Sequence, residues 1–267
     1  MLRDAGIPVS VCRAHSRGGA VAEKFIGILN NPSDEWKKGL SDIEINSTEQ
    51  QAILDDLKVA YLETPLKSVD LVLKKEWEDR LAPLVYIFPS LKPFASETVP
   101  AFVKNKVLPT LTSYNPEDTR EPIDYLKDWN NLKATVVLHF QHGDKKVLND
   151  DDGECAKILL TAKPHNTYVI VGNDGGHDDG DKTIAKIAHA LNKSQGCSYL
   201  NKPEALSAGD ELLAKAATLN ADNVEEHVHG AHKKFAEDNQ KRKFSLASAA
   251  CFSSGFGSLA AALYNNK

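Results

Sequence analysis

Short continuous apolar runs alternate with stretches of helical periodicity along much of the chain. Such runs are typical of strands buried on both faces of a parallel sheet, and they predict strands at residues 7–12, 84–88, 134–140 and 167–171. Apolar positions spaced three and four residues apart predict helices at residues 20–29, 153–163 and 182–191. Because strands and helices alternate, the pattern predicts an α/β fold with a mostly parallel sheet and right-handed crossovers.

Residues 34–82 form a charged segment of helical pattern that interrupts this alternation. A capping box at Thr48 begins one predicted helix, whose apolar positions extend to Leu62. Ser68 caps a second predicted helix, which extends to Leu81. The pair is predicted to pack as a helical hairpin in the core, and the alternative is a lid over an apolar substrate cleft. Loop and short helix are then predicted around four prolines, at 89, 93, 100 and 109.

A serine lies where the first predicted strand gives way to a helix. Ser16 has small residues two positions before and after it, Ala14 and Gly18. A nucleophile elbow needs a strand, a sharp turn and a helix in this order, and small neighbours relieve crowding on the strained turn. The stretch predicts Ser16 as a catalytic nucleophile, and the plain alternative is a polar turn before a helix.

Two further polar residues follow the ends of predicted strands. Asp144 comes after the strand at 134–140, and His177 comes after the strand at 167–171. Parallel α/β sheets place their sites at the carboxyl ends of strands, so both residues are expected near Ser16. A serine hydroxyl is a weak nucleophile, which needs a histidine as base and a carboxylate to orient that histidine. The order serine, aspartate, histidine is that of an α/β-hydrolase triad.

These motifs resemble those of the α/β-hydrolase superfamily, particularly its lipase and esterase branches. The similar segments are the elbow, the loop that carries the acid and the loop that carries the histidine, at residues 14–19, 142–147 and 175–178. The family usually has two more residues between the glycine and the aspartate of the acid loop. Asp150, Asp151 and Asp152 therefore remain alternative acids. The resemblance covers roughly residues 1–195, interrupted by the helical insertion.

The resemblance implies a serine hydrolase that needs no cofactor and has no metal site. The backbone N–H of Arg17, directly after the serine, is expected to help bind an oxyanion. His15 is expected at the elbow, beside the substrate, while His139 and His142 are further candidates to line the site. Family members have strands before the elbow, so the chain is expected to lack these N-terminal strands and the second oxyanion donor.

Composition narrows the class of protein and its partners. Of the 267 residues, 42% are hydrophobic and 26% are charged, which are ordinary values for a globular protein. The 32 basic residues are outnumbered by 37 acidic ones, so the charge distribution does not favour a nucleic-acid partner. The four cysteines are far apart without a C-x-x-C pair, and a secretory signal pattern is absent, which favours a cytoplasmic location.

The region from about residue 200 onward has a different character. An Ala- and Leu-rich stretch predicts a helix at 203–219. Residues 244–264 carry no charged side chain and directly follow the basic triplet at 241–243. We expect 244–264 to pack as a helix pair through small residues, with peripheral membrane contact as the alternative.

These patterns predict an α/β-hydrolase-like core over residues 1–195, which contains the helical insertion 34–82, and a C-terminal helical region over residues 200–267. The expected activity is cleavage of an ester, of a lipid or another small apolar acyl compound, by Ser16, Asp144 and His177. The competing hypothesis is a catalytically inactive or incomplete hydrolase-fold protein that serves as an interaction scaffold. Self-association through an exposed strand edge is one form of that scaffold.

Overall fold

The structure is a computed structural model, and it shows a four-stranded parallel sheet with side chains buried on both faces. It describes residues 10–42, 45–65, 67–111, 120–141, 149–163, 165–172, 183, 186–188, 191, 203–234 and 236–238.

The strands pair in their chain order, and they are β1 (Val11–His15), β2 (Val59–Glu63), β3 (Thr135–Gln141) and β4 (Thr167–Gly172). Ala14 is level with Leu62, and Leu62 is level with Leu138, so the carboxyl ends of β1, β2 and β3 lie side by side. The parallel pairing confirms the predicted α/β class and the predicted strands at 134–140 and 167–171. β1 begins later than predicted, and residues 1–9 lie outside the described residues.

Helices occupy each connection between strands. Between β1 and β2 lie α1 (Arg17–Asn30), α2 (Asp34–Asp42) and α3 (Ser47–Asp56). Between β2 and β3 lie α4 (Val69–Ile87), α5 (Val99–Phe102), α6 (Leu108–Leu111) and α7 (Pro122–Tyr125). Short 3₁₀ and π segments adjoin them at Pro89–Leu91, Phe94–Thr98, Val103–Val107 and Leu126–Trp129. α8 (Asn149–Ala162) joins β3 to β4, and α9 (Pro203–Ala216) and a helix at 224–234 follow.

The two faces of the sheet bury two different clusters of side chains, because successive strand residues point to opposite faces. Ala60, Leu62 and Leu138 belong to the larger cluster, which includes apolar residues of α1, α3 and α8. Tyr61 and Val137 belong to the smaller cluster on the other face, which includes Ile187, Leu191 and Ala216. Helix α9, which ends at Ala216, thus packs directly against the sheet.

The prediction that the first helix of the insertion extends to Leu62 is wrong. α3 ends at Asp56, and β2 runs through the middle of the predicted helical segment. Leu57 has extended backbone angles, φ −69° and ψ 117°, and the five residues of β2 are all buried between β1 and β3. The capping box at the start of α3 is formed by Asn46 and Glu49, two residues before the predicted one.

The predicted strand at 84–88 is also wrong, because these residues form the end of α4 and its cap. Ser68 caps α4 as predicted, since its hydroxyl accepts a hydrogen bond from the Leu71 N–H. The helix continues through Pro83 and packs against the helical segments that follow it. The loop predicted around the prolines at 89, 93, 100 and 109 is wrong, since residues 89–111 are helical, but the short helix predicted there agrees with the short helical segments observed. The observed helical hairpin therefore consists of α4 and residues 89–111.

The segments on either side of this hairpin are joined to each other. The Ile123 N–H donates to the Lys67 carbonyl at 3.3 Å, and the Val69 N–H donates to the Glu121 carboxylate at 3.0 Å. Lys104 adds an ion pair to Asp70 at 2.6 Å. We call residues 67–70 and 120–123 the base of the hairpin.

The remaining helix predictions agree with the structure where residues are described. α8 covers the predicted helix at 153–163, and α9 covers most of 203–219. Residues 183, 186–188 and 191 are helical, as the prediction for 182–191 requires. Among the described helices, none has the length and apolar character needed to cross a bilayer. Residues 244–264 lie outside the described residues.

Candidate functional site

Ser16 occupies the turn between β1 and α1, at the carboxyl end of its strand. Its backbone angles are φ 54° and ψ −119°, a region that L-residues other than glycine rarely adopt. Such strained residues cluster at active sites and ligand-binding turns, where the surrounding structure holds them in place. The side chain is partly exposed. Ser16 therefore lies in the sequence of strand, strained turn and helix that was predicted, while its role as a nucleophile stays a prediction.

Hydrogen bonds to neighbouring elements hold this turn. The Ser16 N–H donates to the Glu63 carbonyl at the end of β2, at 2.9 Å. The Ser16 carbonyl accepts from the Gly19 N–H at 2.9 Å, which closes the first turn of α1. At the next strand, the Thr64 N–H donates to the His139 carbonyl at 2.8 Å. The ends of β1, β2 and β3 are thus tied together directly beneath Ser16.

The glycine that the turn requires is Gly19. A Cβ added at Gly19 would lie 2.9 Å from both Cα and Cβ of Pro65, which is too close for any side chain. A Cβ added at Gly18 would meet no described atom within 4 Å. The sequence argument gave importance to Gly18 because of its distance from the serine along the chain. Among the described residues, close packing of α1 on the segment after β2 explains Gly19 instead.

Thr64, which follows β2, is a second strained residue beside this turn. Its φ is 42°, an uncommon value for a β-branched side chain. Its hydroxyl is buried and has no hydrogen-bond partner among the described residues. Thr64 lies between Glu63, which binds the Ser16 N–H, and Pro65, which packs on Gly19. Two non-glycine residues with positive φ therefore lie next to each other at the carboxyl edge of the sheet.

A buried polar cluster lies on the sheet face below these turns. It consists of Glu63, His139 and Gln141, each at most 2% exposed. The Gln141 amide NH₂ donates to Nε2 of His139 at 3.4 Å. Because Nε2 accepts this bond, the proton of the neutral ring is assigned to Nδ1. Nδ1 faces the Glu63 carboxylate at 4.0 Å. Arg13 pairs with the same carboxylate at 3.4 Å. Gly172 makes room for the cluster, because a Cβ there would lie 2.9 Å from Nε2 of His139.

Burial controls the protonation of the imidazole in this cluster. It lowers the pKa of His139 to about 4, although a carboxylate faces the ring, so the imidazole is neutral near pH 7. Burial also raises the pKa of the neighbouring Tyr61, whose ring meets His139 edge-on with centroids 6.2 Å apart. The sequence named His139 only as a residue near the site. Its pairing with Glu63 follows from the β2–β3 register, which local pattern does not determine.

Helix α1 carries a further buried acid. Glu23 is fully buried, and neither carboxyl oxygen has a hydrogen-bond partner among the described residues. It shares a helix face with Gly19 and Gly27, which pack against Pro65 and Tyr125. Burial raises the pKa of the Glu23 carboxyl well above its usual range. This acid therefore lies within α1, about two turns after Ser16.

The other predicted site residues are described only in part. Asp144 and His177 lie outside the described residues, as does His142. His15 ends β1 directly before Ser16, and Arg17 is the first residue of α1. The alternative acids at 150–152 lie in the first turn of α8, where their side chains are not described. Within the described ranges, no group of three metal-ligating side chains comes together.

The described geometry defines an α/β protein with a strained serine at the junction of a parallel strand and a helix. Comparisons with protein-family models, with curated proteins and with solved structures find no match. The assignment of chemistry consequently depends on the residues themselves. They place a serine hydroxyl at a helix N-terminus, where backbone N–H groups favour negative charge.

Proposed function

We propose that the protein is a serine hydrolase that cleaves an ester of a lipid or another apolar acyl compound. The observation that supports this most directly is the backbone of Ser16, with φ 54° and ψ −119°, between β1 and α1. This strand, strained turn and helix are the context in which a nucleophile elbow presents its serine. A solvated polar turn would have no physical need for such a conformation.

In the proposed reaction, Ser16 Oγ attacks the ester carbonyl while His177 accepts the hydroxyl proton. Asp144 holds the His177 ring in the required tautomer, and the Arg17 N–H binds the negative charge that develops on the carbonyl oxygen. Collapse of the intermediate breaks the ester bond, and the alcohol leaves with the proton from His177. Water then attacks the acyl-serine by the same route, which releases the acid and restores the hydroxyl. No cofactor enters either step.

Chain connectivity is compatible with this set of residues. Asp144 follows the last residue of β3 by three positions, so an extended chain lets it lie at most about 11 Å from that residue. His177 follows the last residue of β4 by five positions, so it can lie at most about 18 Å from that residue. Neighbouring strands are about 4.8 Å apart, so β3 and β4 lie about 10 Å and 14 Å from β1. Both side chains are within reach of Ser16.

The substrate class rests on the family resemblance and on the helical hairpin that follows β2. The competing proposal, an inactive scaffold, would leave the same turn without chemistry. A fluorophosphonate probe separates the two, since it reacts only with an activated serine hydroxyl.

The test is labelling of the full chain at pH 7.5 followed by mapping of the modified residue. We expect labelling at Ser16, its loss in Ser16→Ala, and unchanged labelling in Ser47→Ala, which alters an exposed serine at the start of α3. Hydrolysis of a short-chain nitrophenyl ester should follow the same order. A folded wild-type chain that neither reacts with the probe nor hydrolyses the ester would refute the hydrolase and favour the scaffold.

A further inference from the structure

The end of the helical hairpin exposes a group of large apolar side chains. α4 ends at Ile87, the chain turns at Phe88, and the next helical segment begins at Pro89 and packs back against α4. The turn is closed by hydrogen bonds from the Phe88 N–H to the Leu84 carbonyl, at 2.8 Å, and from the Leu91 N–H to the Phe88 carbonyl, at 3.0 Å. We call residues 84–94 the tip.

Six side chains of the tip are exposed although they are strongly apolar or aromatic. Tyr86 is 89% exposed and Ile87 is 63% exposed, and the others are Leu84, Phe88, Leu91 and Phe94. At about 150–250 Å² for each whole side chain, the exposed fractions of these six residues correspond to roughly 500–850 Å². That area reaches or exceeds the largest apolar patch of a typical monomer, about 300–600 Å², and such patches mark interaction sites.

The arrangement of these side chains indicates the kind of partner. Tyr86, Ile87 and Phe88 are consecutive, so they radiate in different directions around the end of the helix. A protein groove that receives a helix contacts residues three and four apart on one face. Leu84, Ile87 and Phe88 have that spacing, but Tyr86, the most exposed of the six, lies on a different side of the helix and would stay outside such a groove. A fluid lipid interface, in contrast, accepts a protruding tip whose side chains point in all directions.

Charge at the tip agrees with a lipid partner. Between Leu81 and Ser96 the only charged residue is Lys92, and no carboxylate would have to approach a phosphate headgroup. Tyrosine and phenylalanine prefer the boundary between headgroups and acyl chains, where apolar rings are buried and polar atoms stay hydrated. Lys92 lies within the tip, where its ammonium group can pair with a lipid phosphate.

We propose that the tip is a membrane-docking surface, which inserts into the headgroup–acyl boundary of a lipid bilayer. The inference does not depend on hydrolase activity, because no step of it involves Ser16. It also differs from the membrane contact considered for residues 244–264, since it assigns binding to the tip.

The test is flotation of the full chain with phosphatidylcholine vesicles, with and without phosphatidylserine. The tip variant is Ile87→Ser/Phe88→Ser, and the matched control is Phe102→Ser, whose exposed ring lies on the same hairpin about 20 Å further along the helix. We expect the double variant to weaken partitioning by about tenfold or more, and the control to change it by less than about twofold. Lys92→Gln should weaken binding more to vesicles that contain phosphatidylserine than to pure phosphatidylcholine vesicles.

Each alternative has its own result, and each would overturn the proposal. Failure of the wild-type chain to float with either vesicle excludes a membrane-docking tip. Binding that is unchanged in the double variant places the contact elsewhere, as for residues 244–264. A wild-type dimer seen by light scattering, which the double variant converts to monomer while neither binds vesicles, assigns the tip to a second copy of the chain. Circular dichroism of each variant verifies that the exposed substitutions leave the fold intact.

Discussion

Substituting the two glycines after Ser16 separately tests how the turn at Ser16 is packed. Both glycines lie in the first turn of α1, so alanine at either position gains about the same helix propensity, at most about 1 kcal/mol. Only at Gly19 does the new Cβ fall 2.9 Å from Cα and Cβ of Pro65, whereas at Gly18 it meets no described atom within 4 Å. The difference in free energy of unfolding between Gly19→Ala and Gly18→Ala therefore measures the clash alone.

Overpacking against atoms that cannot rotate away costs about 1–3 kcal/mol. We expect Gly18→Ala to be as stable as the wild-type chain or more stable, and Gly19→Ala to be less stable than Gly18→Ala by this amount. For a chain of this length, 1 kcal/mol corresponds to about 2–4 °C in Tm. Urea unfolding of both variants, followed by far-UV circular dichroism, gives the two free energies directly.

The same pair of variants links packing to the proposed chemistry. A displaced Pro65 also shifts Glu63, whose carbonyl accepts the Ser16 N–H at 2.9 Å. Fluorophosphonate labelling of Ser16 should consequently be slower in Gly19→Ala than in Gly18→Ala. Equal stability of the two variants, or a more stable Gly19→Ala, would refute the conclusion that close packing against Pro65 requires glycine at position 19.

Four further predictions concern buried groups and the triad. Because the pKa of His139 is about 4 in the folded chain and about 6.5 when unfolded, the contribution of His139 to stability should be constant above pH 7 and fall by up to about 3 kcal/mol as the pH drops from 6.5 to 4. Urea titrations of wild type and His139→Gln measure this contribution as the difference between the two chains, and an equal decline in both contradicts it. Burial raises the pKa of Glu23, so the contribution of Glu23 to stability falls as the pH rises above about 4.5. Thermal melts should show Glu23→Gln to be more stable than wild type by about 1–3 kcal/mol at pH 8, with no gain at pH 4. Ser16→Gly should relieve the positive φ and raise the free energy of unfolding by about 1 kcal/mol while it abolishes probe labelling, and a loss of stability would argue against strain at this turn. Asp144→Asn should lower ester turnover by orders of magnitude and leave the melting temperature unchanged. Full activity in that variant, together with loss of activity in Asp150→Asn, Asp151→Asn or Asp152→Asn, would assign the catalytic acid to one of those residues.

The strands that local pattern predicted correctly are those with a continuous apolar run and clear boundaries. Residues 135–140 are such a run, and they form β3 in the interior of the described sheet. β2 was missed because Tyr61 and Leu62 continue the helical spacing of Leu54 and Leu57. The chain leaves the helix at Leu57, and pairing with β1 and β3 then determines the strand. That pairing is tertiary, so a periodicity read along one segment does not contain it.

The strand predicted at 84–88 was wrong because packing between helices outweighs the local preference of these residues for a strand. Valine, tyrosine, isoleucine and phenylalanine together favour a strand by propensity. They instead continue a helix that starts at a well-formed cap on Ser68 and gains contacts with residues 89–111. The propensity difference is only about 1 kcal/mol per residue or less, and packing between long helices exceeds it.

The candidate site was predictable only where it depends on local chain geometry. The small residues around Ser16 indicate a strained turn, and the turn has the expected backbone. Three features of the site arise instead from contacts between segments about 45 to 75 residues apart in the chain. They are the requirement for Gly19, the strain at Thr64 and the pairing of Glu63 with His139. A polar residue on an otherwise apolar strand, such as His139 in β3, is the one sequence signal that pointed toward this cluster.

The base of the hairpin gives the hairpin the character of a removable module. Because the Lys67 carbonyl accepts a hydrogen bond from the Ile123 N–H, the chain enters and leaves the hairpin at nearly the same point. A short Gly/Ser linker between these positions would close the gap, and loop length itself adds little to the free energy of closure. An excised form would retain the sheet and the Ser16 turn, and the hairpin could be exchanged for another as a unit. Sequence change in such a module can alter what the protein binds without disturbing the register of the strands that hold the serine.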